Sequence, residues 1–171
     1  MTPFDPLEIL ETLSARGVKF VIIGGIAGRL WGSTSVTNDL DICYARDHDN
    51  LTALAAALSD LKAKLRGADR DLPFQPDAKT LKMGDAFTFT TRAGSFDILG
   101  NPAGSRGYDG LARTSTMMDI GNLKVAVASI EDLLLMKRAA GRPKDLIEVE
   151  VLAALREEIA RRTTRGHKIK R

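Results

Sequence analysis

An α+β fold is predicted for this chain by two observations. Short apolar runs of strand length, at 18–23, 37–43, 87–91, 95–99 and 123–128, are set off by Gly, Pro, Asn and Asp. Between them lie stretches whose apolar residues recur at helical spacing, most clearly Leu51, Leu54, Ala55, Leu58, Leu61 and Leu65. With 171 residues and 44% apolar composition, the chain is long enough for one domain with a sizeable core. Residues 1–160 read as that domain and 161–171 as a basic, flexible C-terminal tail.

Taken in order, Leu7, Leu10, Glu11 and Leu13 fit a short amphipathic helix that closes near Gly17. The strand 18–23 runs into the turn Gly24-Gly25 and a short helix through Ala27, Leu30 and Trp31. A polar loop, Gly32-Ser33-Thr34-Ser35, leads into the strand 37–43. Asp47 or Asp49 caps a helix whose pattern extends to Leu65, and 67–79 reads as loop. Phe87–Thr91 and Ser95–Leu99 form a hairpin about Arg92-Ala93-Gly94. Residues 100–116 read as a connection before the strand 123–128. Ser129-Ile130-Glu131-Asp132 resembles a capping box and starts a helix that Gly141 stops near Ala140. Pro143 suits the first turn of a last helix, 143–162.

Composition excludes several classes of function. No apolar run approaches the roughly 20 residues a membrane span needs, and the N-terminus lacks the layout of a signal peptide. Cys43 is the single cysteine and His48 and His167 are the only histidines, which argues against an internal disulfide and a zinc site. A cytoplasmic protein is expected. The net charge of +3 belongs to the end of the chain: 161–171 carry Arg161, Arg162, Arg165, Lys168, Lys170 and Arg171 and no acid, leaving 19 basic and 22 acidic residues elsewhere. Such a stretch is either a solvated end or a surface for RNA or another polyanion.

The chemistry is concentrated in Asp39-Leu40-Asp41. Two residues apart on a strand, the aspartates share one face, about 7 Å apart at their Cα atoms, while Leu40 and Ile42 occupy the other. Adjacent carboxylates repel, and oxygen-only ligands of this kind suit Mg²⁺ or Mn²⁺. Asp97, between Phe96 and Ile98, can join them if the two strands are neighbours, giving a three-carboxylate site for displacement at phosphorus with Asp97 as base. The glycine pair Gly24-Gly25 opens a helix where phosphate could approach the backbone. A dinucleotide fingerprint is excluded, because the spacing ending at Gly28 needs glycine where Ile23 stands. Lys137, Arg142 and Lys144 gather at the break between the last two helices. They suit either a triphosphate or the helix ends themselves, and Asp145 has the same ambiguity.

Gly24-Gly25, thirteen intervening residues and then Asp39-Leu40-Asp41 resemble the signature of the DNA polymerase beta-like nucleotidyltransferase superfamily. Phe87–Thr91 with Gly94-Ser95-Phe96-Asp97-Ile98-Leu99, and Ala128–Leu133 leading into Lys137–Asp145, are similar to the AbiEii-type branch, many of whose members are toxins of toxin–antitoxin or abortive-infection systems. The resemblance spans about residues 18–150 and implies the nucleotidyltransferase fold, a small mixed β-sheet flanked by helices. It implies a nucleoside triphosphate and Mg²⁺ as well. Asp39, Asp41 and Asp97 would hold metal, Gly24, Gly25, Thr37, Lys137, Arg142 and Lys144 the nucleotide, and Lys137 and Asp145 would match positions needed for activity. Two departures stand out: relatives commonly carry serine where Gly25 stands and arginine where Ser35 stands.

The expected function is therefore metal-dependent transfer of a nucleotidyl group from an NTP to an acceptor, with a tRNA-like RNA as acceptor and a cognate antitoxin as possible partner. Alternatives are the same transfer to a protein hydroxyl or to a small molecule, as in aminoglycoside nucleotidyltransferases, and a non-catalytic binding protein of the same fold. On the catalytic reading, Asp41→Asn abolishes transfer with little effect on folding.

Overall fold

Phe20–Ile23 (β1) is buried at all four positions, as the unbroken apolar run requires of a strand in the middle of a sheet. In the computed structural model, which describes residues 2–67 and 74–169, β1 pairs antiparallel with Asp39–Tyr44 (β2) on one side and parallel with Leu123–Val127 (β7) on the other. Beyond β2 lie Gly94–Leu99 (β5), parallel to it, then Ala86–Thr91 (β4) and Lys64–Leu65 (β3); Thr116–Ile120 (β6) forms the other edge. The mixed sheet has seven strands among the described residues, in the order β3-β4-β5-β2-β1-β7-β6.

Helices flank it: Pro6–Ala15 (α1), Gly24–Trp31 (α2), His48–Asp60 (α3), Ala78–Met83 (α4), Gly107–Thr114 (α5), Ile130–Ala140 (α6) and Pro143–Ile169 (α7). On β2 and β5 burial alternates: Leu40, Ile42, Phe96 and Ile98 are fully buried, whereas Asp39, Asp41 and Asp97 are half-buried. Ile9, Leu10 and Leu13 of α1 and Leu51, Leu54 and Leu58 of α3 join these residues in one apolar core. The helix starts are capped as read from the sequence, Asp47 accepting from the Asn50 N–H and Ser129 from the Asp132 N–H.

Several boundaries differ from the sequence reading. The helix expected to reach Leu65 ends at Asp60, because Lys62 adopts a positive φ of 53° and the chain turns into β3. The 67–79 segment is only partly described, 68–73 lying outside the described residues, and from Ala78 it is helical, with Asp77 as cap. The hairpin turn has two residues, Arg92 and Ala93, and Gly94 is the first residue of β5; the Thr91 hydroxyl accepts from the Ala93 N–H and donates to the Gly94 carbonyl.

The connection 100–116 contains α5 and the first residue of β6. Its helical signal is faint because Gly107 and Gly110 interrupt it and Leu111 is its one large buried side chain. The last helix does not stop at 162 but continues to Ile169, so 161–169 are helical, with 170–171 outside the described residues. Glu157–Arg161 and Glu158–Arg162 ion pairs along it supply helix-stabilising contacts that need no tertiary packing. No helix among the described residues is long and apolar enough to cross a membrane.

Candidate active site

The parallel register of β2 and β5 sets Asp41 directly opposite Asp97, with Asp39 two residues away on the same face. One carboxylate oxygen from each lies within 4.8 Å of the other two. Gathering three acids here has an electrostatic consequence. Burial, reinforced by Asp39 and Asp97, pushes Asp41 up to about 7, against the opposing pull of Lys137. Burial also raises Asp97, with Arg66 acting the other way. Half-buried oxygen donors that close together fit a hard divalent ion such as Mg²⁺.

Gly24 follows the β1 residue paired with Asp41 and has φ of +67°; a Cβ there would overlap the Asp41 carboxylate. Glycine thus lets the carboxylate lie directly against the start of α2, whose first N–H groups have no side-chain cap. Gly25 is required by a different neighbour. A Cβ on it would come within 2.8 Å of both Cβ and Oγ1 of Thr37, so a serine at this position has no room. The Thr37 hydroxyl donates to Asp39 Oδ1 at 3.1 Å, steadying that carboxylate beside the helix start. At the other departure, the Ser35 hydroxyl donates to the buried Glu148 of α7, as does Ser33 at 2.8 Å, tying the loop before β2 to the last helix.

Lys137 comes from one face of α6: Leu133, Met136, Lys137 and Ala140 all line a cavity of about 240 Å³ that also touches Gly24, Asp41, Arg142 and Asp145. Ile23, Leu99, Pro102 and Ala103 complete an apolar wall. Asp145 has no exposed surface and holds both cations, Lys137 Nζ at 3.4 Å and Arg142 Nε at 2.6 Å, while the Arg142 backbone N–H donates to it at 3.2 Å. Desolvation opposes its ionisation, but the Arg142 hydrogen bond and the Lys137 charge prevail and hold it below the usual carboxylate range. Its stabilising contribution is therefore complete at neutral pH and is lost as pH falls through that lowered value. Lys144 is exposed and does not line the cavity, so of the three cations expected to face phosphate, Lys137 and Arg142 are brought together and Lys144 is left outside.

Because Asp145 orients Lys137, Asp145→Asn is expected to lower stability by about 2 kcal/mol, less than for a fully buried pair since Lys137 and Arg142 retain access to water. Urea denaturation of both proteins at pH 7.5 measures this, and equal midpoints would refute it.

One residue in contact with the carboxylates had no signal in the sequence reading. Arg66, just past β3, donates from Nη2 to Asp97 Oδ1 at 2.9 Å and to the Phe89 carbonyl at 3.0 Å. It lies 31 positions from Asp97, and only the edge pairing of β3 with β4 brings it there. A larger cavity, about 490 Å³, lies beyond the other end of β2 among Lys19, Tyr44, Arg46, Asp47 and Tyr108. It includes none of the three carboxylates, and its Lys19 is paired with Asp47 at 2.9 Å.

This arrangement of strands and helices has counterparts among solved structures. The lincosamide antibiotic adenylyltransferase LnuA, solved with lincomycin bound, matches with a TM-score of 0.60 and 16% identity over 88% of this chain and 95% of that one. The fold is that of the nucleotidyltransferases. The antibiotic-resistance factor ANT(2'')-Ia in solution shares this nucleotidyltransferase fold at a TM-score of 0.50 and 18% identity, over 95% of each chain. An antigenic nucleotidyltransferase-like protein from Paracoccidioides brasiliensis also has a TM-score of 0.50, with 20% identity over 87% of this chain and 72% of that one. No family model matches the sequence, and no curated protein matches it.

Proposed function

We propose that this protein is a metal-dependent nucleotidyltransferase that moves a nucleotidyl group from an NTP to a hydroxyl of a small-molecule acceptor. The observation that carries the reading is the convergence of Asp39, Asp41 and Asp97 beside the uncapped start of α2, with Lys137 on the adjoining cavity wall. The three aspartates would hold Mg²⁺ or Mn²⁺, which when bound would neutralise charge on the reacting phosphate and pyrophosphate oxygens. The uncapped N–H groups at the start of α2, from Gly24 and Gly25, would meet a phosphate, and Lys137, held by Asp145 and lining the same cavity as Gly24, would add positive charge. The acceptor hydroxyl oxygen attacks the α-phosphorus, its proton passes to the free oxygen of Asp97, and the bond to the β-phosphate breaks to release pyrophosphate. The apolar wall of Leu99, Leu133 and Met136 suits the base or sugar of the nucleotide.

Two observations favour a small acceptor over RNA. The chain spans nearly the whole length of LnuA and of ANT(2'')-Ia, described as a lincosamide antibiotic adenylyltransferase and an antibiotic-resistance factor. In the basic stretch, Arg161 and Arg162 are engaged by Glu157 and Glu158 of the same helix, which weakens a phosphate-binding role. An AbiEii-type enzyme with a tRNA-like acceptor and an antitoxin rests on the sequence motifs alone. The test is transfer of label from each α-³²P NTP, with Mg²⁺, to a panel of hydroxyl-bearing antibiotics, total RNA and total protein. Label on a small molecule is the expected result. Label confined to RNA or protein would replace the acceptor, and pyrophosphate release with none of the four NTPs would overturn the transferase reading.

A further inference from the structure

Arg66 reaches the carboxylates from an unusual direction. Its backbone N–H donates to the Thr88 carbonyl at 2.9 Å, extending the β3–β4 pairing by one residue, and its guanidinium crosses β4 to Asp97 on β5. Nη2 is shared between the Phe89 carbonyl and Asp97 Oδ1, so the side chain is anchored to the sheet as well as to the acid. At 38% exposure against 16% for Asp97, the guanidinium lies on the more solvent-exposed side of that carboxylate. One oxygen of Asp97 is thereby committed, and only the other is left for the shared face with Asp41.

We infer that Arg66 is a positioning residue that fixes the orientation of Asp97 and serves as its resident counter-cation, with which a divalent ion must compete on that side of the group. The inference rests on the proposed metal site. It has two consequences. The nucleotide-free protein binds a divalent ion less tightly than three clustered aspartates alone would, and Asp97 meets the acceptor in one fixed orientation.

The test uses the full chain without nucleotide, titrated with Mn²⁺ alone by calorimetry. Arg66→Ala is expected to bind Mn²⁺ about five- to tenfold more tightly than the parent, the scale of a partly exposed ion pair released from competition. Arg66→Lys, which keeps the charge, is expected to stay within about twofold of the parent. In an Asp97→Asn background the Arg66→Ala gain should vanish, since the two side chains act on one oxygen. In the transfer assay Arg66→Ala should lower kcat while leaving KM for the NTP unchanged, with Lys restoring part of the rate.

Unchanged or weaker Mn²⁺ binding by Arg66→Ala, an equal gain in the Asp97→Asn background, or an effect confined to KM would overturn the inference. Asp41→Asn separates the two levels. If it loses Mn²⁺ binding while Arg66→Ala matches the parent, the metal site stands and the role of Arg66 falls. If no variant binds differently from the parent, both fall.

Discussion

Asp41→Asn is expected to lower nucleotidyl transfer by about a thousandfold or more while making the metal-free protein more stable above pH 7. The loss of rate follows from position. Asp41 is the central member of the group, opposite Asp97 in register, two residues from Asp39 and against Gly24. The gain in stability follows from burial. The Asp41 carboxyl lies at about 7 in the folded protein against an ordinary 3.8, so folding favours its protonated form. From this group alone, stability is greatest below the ordinary value, declines as pH rises toward 7 and stays low above it. Asparagine cannot ionise and escapes that decline, with an advantage on the order of 4 kcal/mol at pH 8 that disappears near pH 4. Thermal melts of both proteins in EDTA from pH 4 to 8, run beside the transfer assay, measure the two effects. Coincident melts at pH 8 would refute the electrostatic account. The sequence alone leads to an expectation of little change in folding for Asp41→Asn; the partial burial of Asp41 in the sheet predicts a gain in stability instead.

Gly24→Ala is the second large effect, and it acts through shape. The backbone at +67° is a left-handed conformation that an L side chain adopts at a penalty of about 1 kcal/mol. The added methyl would also occupy the volume of the Asp41 carboxylate, which must swing away from Asp39 and Asp97. A total loss of about 2–4 kcal/mol is expected, together with about a hundredfold drop in transfer, the scale associated with misplacing a catalytic group by about 1 Å. Denaturation midpoints and initial rates check both parts. A variant as stable and as fast as the parent would mean that the close approach of Gly24 and Asp41 is dispensable.

Much of the site was legible before any coordinates because it is local. The period of two in a strand puts Asp39 and Asp41 on one face whatever the rest of the chain does. A glycine pair at the end of an apolar strand announces a tight turn into a helix, and Asp47 and Ser129 cap the helices they precede through contacts three residues away. The same locality explains the errors. Leu65 continues a helical pattern in sequence, but edge pairing with Phe89 captures it for β3. Residues 163 and 164 carry no apolar signal for a helix, yet side-chain hydrogen bonds and ion pairs one turn away are compatible with its continuation.

The sequence by itself determined the paired aspartates, the glycine turn at the end of the first strand and an α+β order of elements. Only the tertiary structure decided that Asp97 stands opposite Asp41, that Thr37 fills the space over Gly25, that Asp145 is buried beneath Lys137 and that Arg66 braces Asp97. Those facts depend on which strands become neighbours and in what register. That choice is made by burial of the whole apolar face of the sheet, a property summed over residues far apart in the chain and therefore invisible in any short window of it.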